Sequence, residues 1–228
     1  MGFDSDSPSG TSQPSPRDRI LDAAERTFAE HGIEQASLRQ ITTAADVNIA
    51  AVNYYYGSKE QLVFAVLDRM AERINSRRHM LLDEAEARMQ AGGKAITLEE
   101  VIDIFIEPYA SPGTREYGHL LLKLILNSRT TPNEVTNQLL SKHFNPFAER
   151  IIRTLKQVVP NLDEADLAWR YFFMIGAVLL GVSDAGGVGR IQYVTREQVS
   201  PDNMDKLMQQ LKAFLLGGFR EAAGTRKT

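Results

Sequence analysis

Residues 37–60 read SLRQITTAADVNIAAVNYYYGSKE, and this stretch decides the fold. Ser37-Leu38-Arg39-Gln40 is a capping box, in which a serine and a glutamine three residues on satisfy the free N–H groups of a helix start. The helix it opens is short, because Asp46-Val47 turns the chain and Asn48 is suited to cap a second helix over 49–56. Gly57 ends that helix, and Ser58-Lys59-Glu60-Gln61 offers a second capping box. Two short helices about a tight turn have the proportions of a helix-turn-helix, whose second helix enters the major groove of DNA.

Outward from this stretch the apolar spacing stays helical. Ile20, Leu21, Ala24 and Phe28 share one face of a helix that His31-Gly32 closes. Residues 1–16, MGFDSDSPSGTSQPSP, have almost nothing to bury and read as a disordered arm. A fourth helix carries Leu62, Val66, Met70 and Ile74 on one stripe and runs to Gln90, before Gly92-Gly93. Thr97-Leu98-Glu99-Glu100 opens a helix to about Ala110, Ser111-Pro112-Gly113 turns into another over 114–128, and Pro132 starts a segment that Pro146 must kink or divide. An apolar helix over 162–182, a glycine-marked loop, and a last helix from Ser200-Pro201 complete the chain. The expected fold is all-α: an arm (1–16), a three-helix helix-turn-helix domain (17–62) and a larger helical bundle for ligand binding and dimerisation (63–228).

Composition limits what such a chain does. With 228 residues, 43% hydrophobic and 24% charged, it has the makings of a globular core. The longest apolar run, 172–182, is well short of the roughly 20 residues a membrane span requires, so no membrane partner is expected. No signal-peptide stretch opens the chain and it has no cysteine, which points to a cytoplasmic protein. A net charge of −3 argues against recognition through bulk positive charge. Between Arg17 and Glu60 there are five Lys or Arg against seven Asp or Glu, but from Ala36 to Lys59 the only charges are Arg39, Asp46 and Lys59. Any contact with nucleic acid must therefore be local.

The helix over 49–56 has the chemistry for such a contact. Val52 and Tyr56, four apart, can anchor it to Phe28 and Ile41, which frees the other face. There, alanine permits close approach to base edges, Asn53 has bidentate geometry for adenine, and the hydroxyls of Tyr54 and Tyr55 can bond phosphate. Arg39 can reach guanine or phosphate from the preceding helix.

Residues 24–28, 37–41 and 47–60 resemble the TetR family of bacterial transcriptional regulators, and the resemblance is specific over 17–67. It implies a homodimer that reads a palindromic operator in double-stranded DNA and is released by a small, largely apolar or amphipathic effector. By position it implies DNA contacts from Arg39, Ala51, Asn53, Tyr54, Tyr55 and Lys59. Many members differ at Ile49, Ala50, Ala51 and Asn53, so the sequence read here differs too. The Ala-Ala-Val-Asn-Tyr form is similar to a subgroup that includes regulators of fatty-acid metabolism.

Behind this region the 162–182 helix is apolar nearly all round and must be covered on more than one side. The last helix repeats Met204, Leu207 or Met208, Leu211, Leu215 and Gly218 as a bundle seam. In the family, the last two long helices form the dimer interface. An effector pocket would draw on Phe105, Tyr109, Leu122, Leu126, Phe144, Tyr171 and Met174, with Arg129 and His143 as polar anchors. Arg69, Arg73 and Arg77 read as a solvated face. No catalytic residue, metal or cofactor is indicated: the four histidines lack metal spacing, Glu116-x-x-His119 has no second half, and no phosphate loop is present. The rival reading is a helical dimer that binds a small molecule or protein and never touches DNA.

Overall fold

The computed structural model describes residues 14–111, 118–122, 125–126, 134–183, 190–200 and 203–221. Among these there are helices and turns and no strand. The chain divides into two compact units, 1–66 and 67–228.

The first unit contains α1 (Pro16–His31), α2 (Leu38–Ala44), α3 (Ile49–Tyr56) and the start of α4 (Lys59–Gln90). Its boundaries are set by side chains that accept the free N–H groups of helix starts. Ser15 Oγ accepts from Asp18 N at 3.2 Å, Asn48 Oδ1 from Ala51 N at 3.0 Å and Ser58 Oγ from Gln61 N at 3.2 Å. At Ser37 the capping box is complete: Oγ accepts from Gln40 N at 3.2 Å and the Ser37 N–H donates to Gln40 Oε1 at 2.8 Å. The α2–α3 turn is tight because Asp46 adopts φ 51°, in the left-handed region that Asp tolerates better than most residues. The three helices pack around Ile20, Phe28, Ile41, Val52, Leu62 and Val66, all fully buried.

The second unit continues α4 and adds α5 (Leu98–Ala110), α6 (Glu134–Leu139), α7 (Asn145–Val158), α8 (Glu164–Ser183), α9 (Arg190–Val194) and α10 (Met204–Arg220). Residues 118–122 and 125–126 are helical, within the helix expected over 114–128. Pro146 neither breaks the chain nor simply kinks it. Residues 140–144 form a wider π-helical turn in which the Asn145 N–H reaches Leu140 O, so Pro146 falls in the first turn of α7, where its missing N–H costs nothing. The short α9 has no counterpart in the sequence reading, and the last helix begins at Met204, capped by Asn203, rather than at Ser200.

The core of this unit joins α5, α7, α8 and α10 through Ile102, Phe105, Phe147, Ile151, Leu167, Val178, Leu211 and Leu215. Two expectations change here. The α10 stripe of Met204, Met208, Leu211 and Leu215, continued by Phe219 rather than Gly218, is buried within its own chain against α5 and α8. Among the described residues another apolar face is uncovered: Trp169, Phe172, Phe173 and Leu180 on α8 and Phe214 on α10 are exposed. Because apolar residues surround it, α8 is, among the described residues, long and apolar enough to cross a membrane by length and composition, although its longest apolar run is short. Arg77 stays partly exposed, and its Nε donates to Glu107 Oε1 at 3.3 Å.

Candidate functional site

In the first unit, burial of Val52 fixes which way α3 faces. With Val52 inward and the Tyr56 hydroxyl donating to Arg17 O at 2.9 Å, Asn53, Tyr54 and Tyr55 face outward. Tyr54 is 82% exposed, too open to be a packing residue. The Tyr54 and Tyr55 rings meet edge to face at 4.9 Å, which holds two hydroxyls and the Asn53 amide on one short surface. Ala51 is half-buried and Arg39 exposed. Lys59 is the first residue of α4, where the helix dipole reinforces its charge toward an anion. Apart from that lysine, Arg39 and the exposed Asp46 of the α2–α3 turn, the surface is uncharged, so direct reading of base edges and neutral donors to phosphate must carry most of any contact with a duplex.

In the second unit a cavity of about 210 Å³ opens among α4, α5, the π-helical turn, α7 and α8. Phe105, Tyr109, Leu122, Phe144 and Tyr171 line it. Its wall also contains Arg78, 1% exposed, whose guanidinium lies 4.7 Å from the Phe105 ring, 5.1 Å from Tyr109 and 4.9 Å from Phe147. Arg78 donates from Nε to Phe105 O at 3.2 Å, from Nη2 to Phe105 O at 2.6 Å and to Tyr109 Oη at 3.0 Å, and from Nη1 to Asn75 Oδ1 at 3.3 Å. Pro108, inside α5, lacks the N–H that would bond the carbonyl of Ile104, one residue before the Phe105 carbonyl that Arg78 binds.

Residues 20–66 match the family model described as bacterial regulatory proteins, tetR family, and residues 103–218 match that of the tetracyclin repressor-like C-terminal domain. The chain belongs to the TetR family. Among curated TetR-type relatives, the transcriptional repressor NicS of Pseudomonas putida is 31% identical over 93 residues, 41% of either chain. The regulator BetI of Agrobacterium fabrum is 24% identical over 156 residues, 68% of this chain and 71% of its own. The match to the first thus spans about two fifths of that relative's length. Two solved structures share the TetR fold. A regulator from Saccharomonospora viridis in complex with choline is 19% identical over 88% of this chain and 95% of its own, with a TM-score of 0.61. The fatty acid degradation regulator FadR from Bacillus halodurans is 19% identical over 92% of this chain and 100% of its own, with a TM-score of 0.58.

Set on this TetR chain, three described residues named from sequence for the pocket, Met174, Leu126 and His143, are not in the cavity lining. Met174 is buried elsewhere in the core, Leu126 is outside the described lining and partly exposed, and Arg129 lies outside the described residues. His143 is no cavity anchor: its Nε2 lies 2.7 Å from Asp68 Oδ1, beside Lys142 Nζ at 2.7 Å from the same oxygen. The sequence reading also missed Ile125, Phe147, Ile175, Val178 and above all Arg78. For Arg78 a signal existed. Leu62, Val66, Met70 and Ile74 recur every four residues and Leu82 continues the series, so position 78 belongs to the buried stripe and holds a cation where an apolar residue is expected.

Proposed function

We propose that the chain is a ligand-responsive transcriptional repressor that binds a palindromic operator in double-stranded DNA as a homodimer and is released by a small, largely apolar effector held in the second unit. The observation that carries this reading is the outward face of α3, where Asn53, Tyr54 and Tyr55 stand on a helix anchored from behind by Val52. Arg39, Ala51, Asn53, Tyr54, Tyr55 and Lys59 make the DNA contacts. Residues 17–62, with the Pro16 that opens α1, form the reading domain, and residues 63–228 carry effector and partner. The second copy covers Trp169, Phe172, Phe173, Leu180 and Phe214. Protein is a better cover for this face than lipid, because Arg170 of the same helix donates to Gly218 O and Glu221 O at 2.6 Å, a polar clasp to α10. The working place is the cytoplasm, and no catalytic step is assigned.

Effector and operator communicate through α4, which carries Lys59 at its first residue and Arg78 in the cavity wall. A coupling of about 1–3 kcal/mol between the two binding events suffices for a regulator. The test is selection of duplexes from a random pool by the purified protein, and the expected product is a palindrome with half-sites about one helical turn apart. Its affinity should weaken with salt, and Asn53→Ala should weaken it about tenfold or more while the dimer stays folded. Retention of all sequences alike would overturn the reading in favour of a dimer that does not read DNA.

A further inference from the structure

Among the described residues lining the cavity, Arg78 is the only charged one. Its bonds go to uncharged acceptors, two of them to one carbonyl, and no carboxylate pairs with it among the described residues. A buried cation is costly unless an anion answers it, and the three aromatic rings about the guanidinium compensate only in part. A guanidinium has five N–H donors, and among the described residues four are engaged, which leaves one on Nη1. The tyrosines of the cavity add donors of the same sense. Tyr109 Oη accepts from Arg78, so its own hydrogen is available to an acceptor. Burial pushes the Tyr171 hydroxyl up to about 12, so it keeps its proton. Leu122, Ile125, Leu140, Ile175 and Val178 make the rest of the wall apolar.

We propose that the effector is an amphipathic monocarboxylate, its two oxygens received by Arg78 and the Tyr109 and Tyr171 hydroxyls and its hydrocarbon body held by the apolar wall. A carboxylate fits because it only accepts hydrogen bonds, which matches a set of donors. A cavity of about 210 Å³ is smaller than the roughly 300–1,000 Å³ of sites for drug-sized ligands, which suits a short- to medium-chain acid. A quaternary ammonium of the same bulk would meet the Arg78 charge head on. The inference rests on the second unit being the effector site, as proposed above.

Calorimetric titration of the full-length protein with sodium octanoate, octanamide and octyltrimethylammonium tests it. Octanoate should bind at least tenfold more tightly than octanamide, and the ammonium should not bind detectably. Tyr171→Phe should weaken octanoate three- to tenfold with unchanged circular dichroism, and Arg78→Met should remove the preference for acid over amide. If Arg78→Met does not fold, the three ligands on the unaltered protein still decide. Equal affinity for acid and amide, tighter binding of the ammonium, or no binding of any straight-chain acid from butanoate to dodecanoate would overturn the proposal. Retention of the selected duplex separates the two readings. Octanoate that binds without releasing the duplex would uphold the carboxylate site and defeat effector control, whereas an ammonium that releases it would do the reverse.

Discussion

At the scale of single residues, exposure decides which side chains are available for recognition. Tyr54, at 82% exposed, buries too little to hold the fold, so Tyr54→Ala should change stability by no more than about 0.5 kcal/mol while weakening operator binding. Thermal melts and duplex titrations on the same sample check both halves. Two other residues tie stability to pH. His79 is held below the ordinary histidine value by burial first and then by the Arg150 guanidinium, whose Nη1 lies 3.2 Å from its Nδ1. Burial pushes the Asp68 carboxyl up, but hydrogen bonds from Lys142 and His143 outweigh this and leave it below the usual carboxylate range. Each depressed value means that the unfolded chain takes up the proton more readily, so the stability concerned is present at neutral pH and is lost on acidification. The melting temperature should therefore begin to fall below about pH 6.5, where an unfolded histidine protonates, and fall further below about pH 4 as Asp68 protonates. In His79→Gln the upper phase should flatten and the lower remain; an unchanged upper phase would show that His79 is not its source.

At the scale of elements, caps and buried stripes do different work, and their magnitudes separate them. Asn48→Ala removes the side chain that starts α3 and should cost about 1 kcal/mol, leaving a folded reading domain. Ile41→Ala opens a cavity beneath α2 in a core of few large side chains and should cost about 2–5 kcal/mol. Urea titrations of the two variants should rank them in that order, and the reverse order would mean that α3 is held by its cap rather than by packing. The π-helical turn before Pro146 is also an element-scale device, because it moves a proline from a helix interior to a helix start. That turn carries Lys142 and His143 to Asp68 and places Leu140 and Phe144 on the cavity wall.

At the scale of the whole molecule, a large uncovered feature among the described residues is the apolar face of α8 and α10. Trp169 stacks on Phe173 with ring centres 5.9 Å apart, and Phe214 is 69% exposed on α10. Contiguous apolar surface of this kind marks an interaction site rather than ordinary exposure. Phe173→Glu should yield a folded monomer by sedimentation that binds a palindromic duplex much more weakly than the parent protein does, because one copy meets only one half-site. A Phe173→Glu protein that stays dimeric would place the partner elsewhere.

Local chemistry made the first unit legible. Ser37, Asn48, Ser58 and Gly57 set helix ends through bonds within three or four residues of themselves, and the spacing of Ile20, Ala24 and Phe28 on α1 and of Val52 and Tyr56 on α3 marked the buried side, so the outward face of α3 followed from sequence. The second unit was legible as helices only. Whether Leu211 faces its own α5 or a partner, whether His143 meets a cavity or Asp68, and that Arg78 sits in a wall of aromatic rings depend on residues tens of positions apart along the chain. A cap is satisfied by its neighbours in sequence, but a cavity is what several helices leave unfilled when they pack, and no single helix carries that information.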